Sequence, residues 1–244
     1  MKSKKDLNIV KNYRRKNHQQ VYRAMVQLRQ EVMKISTNCL EEIFKYITKC
    51  LRDLENNPEM SYREWHEKVE KLLELYYKAF ERVYKLTSQT LKQLFGRVQD
   101  FNPEHIKDLT YSKDGIAFED RISKYWDKMK TDFQTESFEI VRASALYHYD
   151  LIIDTEAKTV EQAVKKHKKP IVDVGQYVIQ VIDGCGGGCN HDCIDYNGIY
   201  PEDEDIEWPP YHPSCTGIAY YDVTDDPDEI HDLDLDESDL DDNI

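Results

Sequence analysis

Residues 21–54 read VYRAMVQLRQEVMKISTNCLEEIFKYITKCLRDL. Within them Val21, Met25, Leu28, Val32, Ile35 and Cys39 step alternately by four and three, and Ile43, Ile47, Cys50 and Leu54 carry the stripe on after a stutter. An α-helix turns once in 3.6 residues, so such steps gather apolar side chains on one face and make the seam of a coiled coil or a long helical hairpin. Asn56-Asn57-Pro58 breaks the stripe. Beyond it Ser61-Tyr62-Arg63-Glu64 has the form of a capping box, whose hydroxyl and carboxylate satisfy the free amides of a helix start. Trp65, Val69, Leu72, Tyr76, Phe80, Val83, Thr87, Leu91, Leu94 and Val98 then form a second stripe. Two stripes with a tight break between them predict a long antiparallel helical hairpin over residues 19–101, and with it a mainly α fold.

Working outward, Phe101-Asn102-Pro103 to Gly115 carries the punctuation of a connector. A second helical segment is expected over 102–169. Phe118, Ile122, Tyr125, Met129 and Phe133 share one face, and the pattern resumes through Phe138, Ile140, Val141, Ala145 and Tyr149. Residues 156–168, with Ala157, Val160, Ala163 and Val164, predict one more short helix, ended by Pro170. There the composition changes. Val172, Val174, Tyr177, Ile179 and Val181 largely alternate, as strand residues do, and Ile218 to Val223 is a second candidate strand. A loop rich in Gly, Cys, Asp and Pro lies between them, so residues 170–224 read as a small α+β module. Residues 225–244 are mostly Asp and too poor in apolar surface to offset the entropy of ordering, which predicts a disordered acidic tail. Residues 1–18 are Lys/Arg-rich with few apolar anchors and read as a mobile basic arm.

Charge follows the same division. The 244 residues sum to −14, but no Lys or Arg occurs after Lys169. The first 169 residues carry +7 and the remainder −21, so the two ends suit different partners. With 33% charged residues and a mean hydropathy of −0.75, no stretch approaches the roughly 20 apolar residues that span a bilayer. Residues 1–20 lack the apolar run of a secretory signal, so synthesis in a cytoplasm without export is expected.

Four of the six cysteines fall between Cys185 and Cys215, with His191 and His212 among them. Cys189, Cys193, His212 and Cys215 make the best tetrahedral set, with Cys185 and His191 in reserve; soft ligands on two short turns suit a structural zinc. Gly186-Gly187-Gly188 would let the chain curl around the ion, and Pro209-Pro210 with His212-Pro213 would stiffen the second arm. Disulfides and unliganded thiols are the competing readings, the first disfavoured in a reducing compartment. Cys39 and Cys50 lie on the first helical stripe and are expected in the core.

The run from Cys193 to Gly198, followed by Pro209-Pro210-Tyr211-His212-Pro213-Ser214-Cys215, resembles the C-terminal signature of phage head morphogenesis proteins of the Mu F-like, minor capsid type. The segment Asp114-Gly115-Ile116-Ala117-Phe118-Glu119-Asp120-Arg121-Ile122 is similar to the turn and Arg-Ile helix ahead of that family's module. The resemblance covers roughly residues 112–220 and implies a virion protein, associated with portal or capsid inside the head, that can leave with the DNA.

Other chemistries compete for the same residues. Lys4, Lys5, Lys11, Arg14, Arg15 and Lys16 could neutralise phosphates of packaged double-stranded DNA or dock on an acidic partner. A zinc-bearing, non-specific nucleic-acid-binding protein is therefore the alternative function. A metallohydrolase or toxin-like enzyme is the third, but clustered thiols favour binding over catalysis and no helix-borne acid/base motif accompanies them, so no enzyme is expected. Asp232, Asp234 and Asp236 begin like a calcium loop, yet Glu237 stands where such a loop needs Gly.

Overall fold

The computed structural model describes residues 4–110, 116–171, 176–182, 198–201, 206–210, 215 and 217–224, of which residues 4–17, 176–182, 201, 223 and 224 are described in their backbone alone. The chain is mainly helical. Helix α1 (Lys4–Asn56) is followed by α2 (Tyr62–Glu67), α3 (Val69–Phe95), α4 (Phe118–Asp132) and α5 (Phe138–His167), then by strands β1 (Gln176–Ile182), β2 (Gly198–Pro201) and β3 (Ile218–Thr224).

Every member of the first stripe is buried, from Val21 to Leu54, and so is the second from Trp65 to Leu91. The two stripes face each other. The Tyr46 hydroxyl donates to Lys68 O (2.7 Å) and the Cys39 thiol to Leu75 O (3.5 Å), so α1 and α3 run antiparallel. The turn between them is built as the sequence predicts. Met60 N–H donates to Asn57 O, Ser61 Oγ accepts from Glu64 N–H, and Glu64 Oε2 accepts from Ser61 N–H at 2.8 Å. Lys68, itself in a right-handed helical conformation, lies between α2 and α3. Trp65 of α2 packs against Trp126 of α4. Their rings stack at 4.6 Å and each indole N–H donates to the other residue's carbonyl, so two large side chains are buried with both donors satisfied. Gly96, at φ 71°, ends α3 in a conformation that a side chain would strain, and its N–H closes on Lys92 O.

Helix α5 completes the body, packing against both α1 and α3. Arg142 lies over Phe44 and Arg29 pairs with Glu161, so α5 is antiparallel to α1. Three expectations need correction here. The helix expected over 156–168 is no separate element: α5 runs unbroken from Phe138 to His167, because no Gly or Pro falls in between and Ile152 and Ile153 continue its buried surface. Ile140, read as a core residue, is 56% exposed, since Val141 takes the inward position one residue on. The segment read as a mobile arm continues helix α1 back to Lys4, no Gly or Pro interrupting residues 4–20.

The strands form an antiparallel sheet of order β2-β1-β3, with Val178 opposite Pro201 and Asp222. β2 lies in what the sequence presented as loop. Among the described residues of 170–224 there are strands and no helix; the rest of the expected α+β module lies outside the described residues. The sheet does not stand apart. β3 packs on α1 and α5, and its Ile218 and Tyr220 belong to the same apolar core as the helices.

Candidate functional site

The C-terminal half of α5 is buried almost all round, in a helix against which α1, α3 and β3 all pack. Charged residues are trapped there. Glu161 accepts from Arg29 Nε at 2.6 Å and pairs with Lys165 Nζ at 2.5 Å. Arg29 is 6% exposed, Lys165 1% and Glu161 not at all. The Gln162 amide, oriented to satisfy both neighbours, donates to Ala219 O of β3 (2.9 Å) and accepts from Arg29 Nη2 (2.6 Å). Burial pushes Lys165 down to about 8, against the pull of Glu161. Burial also works to raise the Glu161 carboxyl, but Arg29 and Lys165 together hold it below the usual range. A second tie lies at the edge of the sheet, where His18 Nδ1 is 2.7 Å from Asp222 Oδ2. Nearby, Arg121 of α4 pairs with the fully buried Glu156.

Arg29, Glu161 and Lys165 are all buried, and the chemistry of the cluster is that of a fastener. Ions taken out of water return little net stability, but removing one partner leaves the others uncompensated, so the arrangement enforces one way of docking β3 on the helices. Arg121 apart, none of these residues stood out in the sequence. A Glu161–Lys165 pair four apart reads as a solvated helix face, and the signal against that reading is the density of Ala157, Val160, Ala163 and Val164 around it.

Of the predicted metal ligands, only Cys215 lies among the described residues. It is fully buried as a free thiol, and its Sγ accepts from Gly217 N–H at 3.4 Å. Cys185, Cys189, His191, Cys193 and His212 lie outside the described residues, as does the whole tail 225–244. Among the described residues no three of His, Cys, Asp and Glu converge on a point that could hold a metal. Cys39 and Cys50 are buried free thiols, as read from the stripe. Lys4, Lys5, Lys11, Arg14, Arg15 and Lys16 fall within α1, their side chains outside the description. From the segment similar to the phage family, Ala117 caps α4 and Arg121 makes the buried pair with Glu156.

Two surface hollows lie away from the ion cluster. One, of about 330 Å³ between α1 and α5, is lined by Met33, Tyr147, Leu151, Asp150 and Asp154, with Met33 and Tyr147 largely exposed. The other, of about 470 Å³ at the end of α3, includes Lys92, Arg97, Asp100 and Lys168 in its wall. Among the described residues no helix is long and apolar enough to cross a membrane. Compared with known proteins, the chain matches no family model, no curated protein and no solved structure.

Proposed function

We propose that this chain is a structural, non-enzymatic minor head protein of a phage, which joins the portal or capsid during head assembly and resides in the virion. The observation that carries the reading is the run Pro209-Pro210-Tyr211-His212-Pro213-Ser214-Cys215. It leads directly into β3, which is tied to the helical body by Gln162, Asp222 and the apolar contacts of Tyr220. A Cys/His element joined in sequence to a strand docked on the helical body suits an adaptor that presents a rigid surface, and the buried ion cluster suits holding over turnover. In this reading Cys189, Cys193, His212 and Cys215 hold one structural zinc, with Cys185 and His191 as substitutes. Lys4 to Lys16 supply the salt-dependent contacts to DNA or to an acidic partner.

Affinity purification of the tagged chain from infected cells tests this. Portal protein or procapsids should accompany it in stoichiometric amount, and metal analysis of the same material should give about one zinc per chain, as a closed four-ligand site takes. A chain recovered alone from a lysate in which heads are assembling would refute the head-protein reading. A complex without zinc would refute only the metal site.

A further inference from the structure

β3 meets the helical body at points that fall in order along α1. Ala219 O is held by Gln162, which also holds Arg29. Tyr220 lies beside Tyr22, and its hydroxyl is pushed well above the ordinary tyrosine range by burial and by the neighbouring Asp222 and Tyr22. Asp222 is tied to His18 at 2.7 Å. As the strand advances from 219 to 222, its partners on α1 descend from 29 to 18. β3 therefore runs toward the N-terminus of α1, and it ends at Thr224, two residues past the His18 contact.

Ahead of the strand on α1 lie residues 4–17, still helical, with six basic residues against the single acidic Asp6. Past Thr224 the chain continues as residues 225–244, with eleven Asp or Glu and no Lys or Arg. The helical stretch from Lys4 to His18 is about 21 Å long at 1.5 Å per residue. Twenty residues of extended chain reach up to about 65 Å, so the tail has the length to cover it without strain at the exit point. β3, whose end joins the most acidic segment of the sequence, thus finishes beside the end of the most basic segment and heads along it.

We propose that residues 4–16 of α1 form a polyanion-docking surface whose resident occupant is the chain's own acidic tail, residues 225–242. Because the tail is tethered at His18–Asp222, its effective concentration at the helix is that of a short intramolecular linker, in the millimolar range. The contact is between many charges of opposite sign, so salt weakens it. Any external polyanion, such as duplex DNA or an acidic protein face, has to displace the tail to use this surface. The inference stands independently of the head-protein reading, since it rests on the path of β3 and on the charges at either end of it.

Carbodiimide coupling of the full-length chain, which joins carboxylates to amines in contact, provides the test. Tail carboxylates should couple within one chain to Lys4, Lys5, Lys11 and Lys16, with the yield falling at least about fivefold in 0.5 M salt, where screening acts over only a few ångströms. A variant carrying Lys4→Gln, Lys5→Gln, Lys11→Gln, Arg14→Gln, Arg15→Gln and Lys16→Gln keeps helix-forming residues throughout. Its tail should be cut by a protease specific for Asp at least about fivefold faster than the wild-type tail, as expected for a segment released from its partner. Three results would overturn the proposal: coupling of the tail mainly to body lysines such as Lys34 or Lys71, coupling only between two chains, or equal cleavage rates in the two proteins. The second of these would assign the basic stretch to another copy of the chain.

Discussion

Glu161 shows how little a residue's identity says about its surroundings. In sequence it is one of many acids on a helix four residues from a lysine, while in the fold it has no contact with water and two cations within 2.6 Å. Glu161→Gln should cost about 3–5 kcal/mol of stability in urea unfolding, because Arg29 and Lys165 would be left buried and uncompensated. Replacing all three together by Met or Leu should cost much less, and a triple variant as unstable as the single one would show that packing, not charge, decides. The sign of the pH effect is fixed too. A carboxyl held below its usual value contributes fully above pH 4.5, and that contribution disappears as pH falls through the lower folded value. Trp65 and Trp126 are the converse case at this scale: the apolar stripe placed Trp65 in the core, but only the fold revealed the partner that satisfies its indole.

The seam between α1 and α3 is the element that sequence described best, because steps of three and four leave a helix only one face to bury. Cys39 sits in that seam with its thiol against Leu75 O, where burial and Glu42 push it up to about 12 despite Arg82. The unfolded chain loses this proton above 9.0 and the folded chain keeps it, so stability should fall as pH rises from 9 toward 12. The slope for one such group is at most about 1.4 kcal/mol per pH unit. Cys39→Ala will lower stability at every pH through the cavity it leaves, but its stability should decline less steeply above pH 9 than that of the wild type. Parallel profiles would sink the assignment. α5 was less legible. Its first half obeys a simple stripe, but its second half is covered from several sides, and a helix buried all round has no polar face for periodicity to detect.

On the scale of the whole molecule, the question is how the strands join the helices. The composition change near Pro170 suggested two modules, and the charge split agreed with it. The fold joins them through one core, with β3 seated on α1 and α5 and fastened by Gln162 and by the His18–Asp222 tie. Asp222→Asn keeps the shape and removes the charge. Amide exchange in β3 should then quicken about tenfold or more, the loss expected for a hydrogen bond to a charged group, while α3 and α4 keep their protection. Equal acceleration everywhere would mean that the tie supports global stability and not the seat of β3. The sequence by itself determined the hairpin, its capped turn, the connector after α3, two of the three described strands and the burial of Cys39 and Cys50, since each is written in local periodicity or turn chemistry. The tertiary structure alone decided the unbroken α5, the third strand, the buried Arg29–Glu161–Lys165 cluster and the path of β3 toward the basic start of α1. Those depend on which surfaces of distant segments meet, and a charge on a helix carries no mark of whether water or another element will cover it.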